Sequence, residues 1–169
     1  MRKVPRVIDA ISRYTAELLK WFCYALVLVI VYDVIMRYVF DAPTMWAFEI
    51  AYMLGGAIFV LGFAYTHYHR AHVRVDVFYS RLSPRRKAII DVFGTLFLFF
   101  PLLVLFVHGS FSFMWRAWSI GEISIVTNWF PPIAPFRTVV FIGFCLLAFQ
   151  AIAQFIRDLY ILVRNKPYD

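Results

Sequence analysis

Four stretches of the chain are almost continuously apolar, over about 18–39, 46–66, 88–110 and 136–156, and the polar residues fall mainly between them. Each run is close to the roughly 20 residues that a helix rising about 1.5 Å per residue needs to cross a hydrocarbon core. No Asp, Glu, Lys or Arg occurs within 50–66 or 138–156. None of the runs alternates with a period of two. An unpaired backbone amide in lipid is too costly to leave, so each run predicts a membrane-spanning α-helix and not a barrel strand. The first run follows a basic start, but no small-residue cleavage site comes after it, so it reads as a retained helix and not a signal peptide.

The connecting pieces carry patterns of their own. Over 4–19, Val4, Val7, Ile8, Ile11 and Leu18 share one helical face, and Arg6, Asp9, Arg13, Glu17 and Lys20 lie on another. With Pro5 suited to a first turn, this predicts an amphipathic helix lying in the interface before the chain enters the bilayer. Val73, Val77, Phe78 and Leu82 repeat at helical spacing among charges, which predicts a second interfacial helix between spans two and three. Ser83 and Pro84 then fit the N-cap and first position of span three. Pro131, Pro132 and Pro135 end an aromatic segment at 115–130 that reads as a folded-back interfacial loop. There is no internal repeat and no linker. The fold class expected is an all-α integral membrane protein of one domain over 1–169.

Composition agrees with lipid as the solvent. The hydrophobic fraction is 63%, aromatics make up 20% and charged residues only 16%. A soluble domain averages about 45–50% apolar and about 25% charged, and so short a chain cannot hide this excess in a core. The same numbers exclude disorder, and two Cys exclude a disulfide-stapled module.

The net charge is +7, from 17 Lys and Arg against 10 Asp and Glu. It does not form a stripe for nucleic acid. Fourteen of the 17 basic residues lie in the N-terminal arm, the loop between spans two and three, and the C-terminal tail. Only Arg37, Arg116 and Arg137 remain for the other side. The positive-inside rule therefore predicts cytoplasmic N and C termini.

Candidate chemistry is sparse. Four His invite a b-type haem. However, His67, His69 and His72 fall at the end of span two and beyond it, while His108 closes span three on the opposite side, about 30 Å away. No Cys or carboxylate completes a metal set around the first three. Neither a phosphate loop nor a nucleophile elbow is present. The expectation is no metal, no cofactor and no enzyme activity.

Ionisable residues at membrane depth are the remaining suspects. Asp33 and Arg37 stand at i and i+4, a spacing that lets them pair. Glu49 opens span two just after the turn Asp41-Ala42-Pro43, which makes an Arg37–Glu49 bridge across the hairpin easy to reach. Gln150 and Gln154 share a face of span four and should turn inward or towards a partner, with Gln150 the nearest polar group to mid-bilayer. Ala47, Ala51, Gly55 and Gly62 line one side of span two, giving a close-packing surface either for the chain itself or for another subunit.

The ordered set of features resembles the DctQ family, the small membrane subunit of tripartite ATP-independent periplasmic (TRAP) transporters. The likeness rests on Arg37-Tyr38-Val39-Phe40 with Pro43, Trp46 and Glu49, then on His72-Val73-Arg74-Val75-Asp76 after span two. The outer segment with Trp118, Glu122 and Ser124 looks more like branches of the family that serve oxo acids, mannitol or chloroaromatic acids. The resemblance implies sodium-coupled uptake of an organic acid across a bacterial inner membrane. It also implies two partners, a large multi-span permease and a periplasmic solute-binding protein, and places the sodium and substrate sites in the permease. On this reading Asp33, Arg37, Trp46, Glu49, Ala51, Gly55, Gly62, His72, Asp76, Glu122, Gln150 and Gln154 are structural or subunit-contact residues. The chain would be a lipid-anchored frame for a permease whose mobile part slides like an elevator. Two other classes remain open: a haem-bearing membrane anchor of an oxidoreductase, testable by a visible spectrum, and a small homo-oligomeric exporter, which would need a polar face at mid-membrane.

Overall fold

The computed structural model describes residues 3–69 and 84–164. These form five helical segments: α1 (Lys3–Tyr38), α2 (Met45–Tyr68), α3 (Pro84–Gly94), α4 (Phe100–Ile120) and α5 (Ala134–Arg164). A π-helical turn, Thr95–Phe99, joins α3 to α4 without a break. The result is four rods, each long and apolar enough to cross a membrane. His72, Asp76 and the interfacial helix expected near 73–82 lie outside the described residues.

The helix expected at 4–19 is not a separate element. It runs straight into the first span as one helix of 36 residues, about 54 Å long at the usual rise. That exceeds a hydrocarbon core of about 30 Å, so α1 either tilts or projects beyond it. Nothing in 15–20 breaks a helix, and the boundary between amphipathic and fully apolar sequence is a change of environment, not of backbone. At its far end, Asp41 takes a left-handed conformation (φ 50°) and the Ala42 N–H donates to Met36 O at 2.9 Å. Pro43 then keeps the chain extended until α2 begins.

Pro101 is accommodated by the π-helical turn before it. A proline inside a helix lacks an N–H and crowds the preceding turn. Here the Phe100 N–H reaches back five residues to Thr95 O, so the ladder widens by one residue just where the ring needs room. The third rod also runs further than its apolar stretch implies, to Ile120. The irregular loop expected at 115–130 therefore begins only at Gly121. This glycine is left-handed (φ 60°), and the Glu122 N–H donates to Ala117 O at 3.0 Å, which is the glycine-capped helix end that satisfies a terminal carbonyl.

Among the described residues, α2 and α5 form the centre. α2 packs against α1 and α5, α4 packs against α5, and α1 also meets α5 near the termini. The α2–α5 crossing is very close. A Cβ on Gly143 would lie 2.5 Å from Val60 Cγ1 and 3.1 Å from the Val60 carbonyl carbon, and a Cβ on Gly56 would lie 2.8 Å from the Phe136 ring. Ala47, Ala57, Ala64, Ala151 and Ala153 are buried as well. Small side chains thus let two backbones approach where lipid offers no hydrophobic drive, only packing. The expected stripe is only partly used: Ala47 is buried, but a Cβ on Gly55 or Gly62 would meet nothing within 4 Å.

Candidate functional site: polar clamps at the two ends of the bundle

Polar contacts gather at two levels, one beside the hairpins and one beside the termini. On the hairpin side, the Asp33 carboxylate serves both halves of the first hairpin. Its Oδ2 accepts from Arg37 Nη2 at 2.8 Å, and its Oδ1 accepts from Thr44 Oγ1 at 2.6 Å and Thr44 N at 3.2 Å. Asp33 thereby stands in for the missing cap at the start of α2. Trp46 packs on Tyr32 of α1 at a centroid distance of 5.3 Å, closing the same corner.

Glu49 has other partners. It is completely buried, and Ser124 Oγ donates to its Oε1 and Oε2 at 2.9 and 3.0 Å. Thr127 adds its backbone N–H at 3.1 Å and its Oγ1 at 3.0 Å. The bridge expected from Arg37 to Glu49 is therefore not the one formed. Arg37 is bound within its own helix, where i,i+4 reach costs no loop closure, and Glu49 faces the bundle interior, where the 121–133 loop folds over it. That loop is stiffened by an antiparallel bridge between Ile123 and Pro132, with Ser124 N donating to Pro131 O at 2.8 Å and Ile133 N to Glu122 O at 3.0 Å.

The third element of this side is a forked ion pair. Arg137 Nη1 and Nη2 reach Glu122 Oε2 and Oε1 at 2.6 and 2.7 Å. Its guanidinium also donates to Phe113 O at 3.2 Å and sits 5.4 Å from the Phe113 ring centre. The planar fork matches a carboxylate in a way that an ammonium does not. Arg137 is absent from the residues singled out by pattern, although a lone Arg in the first turn of an apolar span must find a counter-charge. Glu122, the sole acid of the preceding loop, was the available signal. Thr127 had no comparable signal.

At the termini side, Gln150 is buried among groups from α1. Its Oε1 accepts from Ser12 Oγ at 3.0 Å, and its Nε2 donates to Asp9 Oδ1 at 3.1 Å. Arg157 donates to Asp9 Oδ2 and to Gln154 Oε1 at 3.4 Å, while Gln154 Nε2 donates to Asp158 Oδ1 at 3.2 Å. The two glutamines do turn inward. Gln150 stands level with residues 9–12 of α1, which supply its partners. Among the described residues no group of three His, Cys, Asp or Glu is placed to hold a metal ion.

Together, these contacts tie helix to helix and loop to helix. Between the two levels the rods are largely apolar, although the third carries His108 and Ser110, whose hydroxyl donates to Val107 O at 3.1 Å. That architecture defines a multi-pass helical membrane protein whose buried polar groups bond helix to helix and loop to helix. The model of the DctQ component of tripartite ATP-independent periplasmic transporters matches residues 26–160, and the chain belongs to that family, an inner-membrane component of the transporter. No curated protein matches it.

Proposed function

We propose that this chain is the stationary small subunit of a TRAP transporter, scaffolding a large permease for sodium-coupled uptake of an organic acid delivered by a periplasmic binding protein. The observation that carries the reading is the uncovered apolar surface of the outer rods. Only 6% of the α1 span and 11% of the third rod's span are buried within the chain, against 33% for each of the two central rods. Solute passage needs groups at mid-bilayer that replace water around an ion or carboxylate. Here the buried Glu49, Gln150 and Gln154 are already engaged by Ser124 and Thr127, by Ser12 and Asp9, and by Asp158. The uncovered stretch of α2 around Gly55 and Gly62 offers close backbone approach to a partner helix.

The test is reconstitution. The purified chain in liposomes should move no solute under sodium or proton gradients, and uptake should appear only with the large permease and its loaded binding protein. Gradient-driven uptake by the isolated chain would overturn the reading. A visible haem spectrum in the purified chain would replace it with the oxidoreductase-anchor alternative.

A further inference from the structure

A groove of about 770 Å³ runs along α1 where it passes the end of α2. It is lined by Arg13, Glu17 and Lys20, at successive turns of α1, together with Ala16, Leu19 and Cys23 and with Tyr65 of α2. From Arg13 to Cys23 is about 15 Å along a helix, and charged and small apolar side chains alternate along it, with only the Cys23 end beyond the last charge. Lys20 pairs with Glu17 at 2.6 Å. Arg13 is exposed and has no carboxylate partner among the described residues, leaving the groove with a surplus positive charge. Beside it Tyr14, Trp21 and Tyr24 are 81%, 71% and 67% exposed along one stripe of α1. Amphipathic rings of this kind settle at the headgroup level of a bilayer. Tyr14, next to Arg13, would put the surplus cation near the headgroup level, with the Cys23 end of the groove directed towards the acyl region.

We propose that this groove binds one anionic glycerophospholipid, its phosphate on Arg13 and Lys20 and one acyl chain laid past Leu19 and Cys23. Charge complementarity selects the headgroup. Ala16 and Cys23 are small, and a groove of about 770 Å³ has room for a hydrocarbon chain. Bound there, the lipid would fill the gap between α1 and the end of α2 and brace the long first helix.

Native mass spectrometry of the full chain, exchanged into mixed micelles of phosphatidylglycerol and phosphatidylcholine, tests this without any partner subunit. A preference of about fivefold or more for phosphatidylglycerol is expected, the value of one basic side chain near an anionic surface. Arg13→Gln/Lys20→Gln should reduce it to parity, and Arg13→Lys should retain it. A phosphatidylglycerol with a photoreactive acyl chain should label the peptides that hold residues 16–23 in the unaltered protein, a readout that does not depend on any variant folding. Equal retention of the two lipids, an unchanged preference in the double variant, labelling spread over all spans, or displacement by water-soluble glycerol phosphate would each overturn the proposal.

Discussion

Ser124 donates its hydroxyl to both carboxylate oxygens of Glu49, at 2.9 and 3.0 Å, across 75 residues of chain. This contact holds the loop between the last two spans down on the start of α2. Removing the carboxylate should free the loop, because three donors would lose their acceptor at once. Glu49→Ala is expected to destabilise the protein in detergent by about 2–3 kcal/mol and Ser124→Ala by about 1–2 kcal/mol, the range for leaving buried hydrogen-bonding groups without a partner. Hydrogen exchange at 122–130 should accelerate in both. Arg37→Ala combined with Glu49→Ala should be additive, since their partners are separate. Unchanged exchange in the loop would show that Glu49 does not hold it.

Arg137→Lys should not preserve the forked pair with Glu122. The ammonium keeps the charge but loses the second parallel hydrogen bond and the contact with Phe113. A thermal shift equivalent to about 1–2 kcal/mol is expected, and Arg137→Lys with Glu122→Gln should cost less than the sum of the two. Strict additivity would mean that the pair contributes nothing to stability.

Gly143 and Gly55 should respond in opposite ways. Gly143→Ala places a Cβ against the Val60 backbone, where no rotamer change can relieve it, and should cost about 1–3 kcal/mol in the isolated chain. Gly55→Leu has room and should leave the isolated chain's melting temperature nearly unchanged. If the α2 surface is where the permease docks, the same substitution should abolish co-purification. Retained co-purification would move the contact elsewhere.

Orientation follows from the basic residues. A reporter inserted near Arg81 or fused after Asp169 should report cytoplasm, and one near Glu122 should report periplasm. The reason is that 14 of the 17 Lys and Arg fall in the N-terminal arm, the loop between spans two and three, and the C-terminal tail. A cytoplasmic signal near Glu122 would reverse the arrangement and remove the binding protein from that face.

The number of spans, their helical nature and the family are legible in the order of residues alone. These depend on local quantities: the length of each apolar run, its freedom from charge, and the order of a few short motifs. The Asp33–Arg37 pair was legible for the same reason, since i,i+4 geometry is built into a helix. Choice of partner between distant elements was not. Asp33 and Glu49 both lie near the first hairpin, and only the packing of α2 against α5, set by Gly143 on Val60, turns Glu49 towards Ser124 and Thr127 and away from Arg37. Likewise the partners of Gln150 cannot be read until α1 is seen to continue unbroken past it and bring Asp9 and Ser12 alongside. Hydrophobic pattern says which residues avoid water. Which polar groups then find each other depends on the relative depth and rotation of whole helices, and in lipid those are settled by close steric fit over many residues at once.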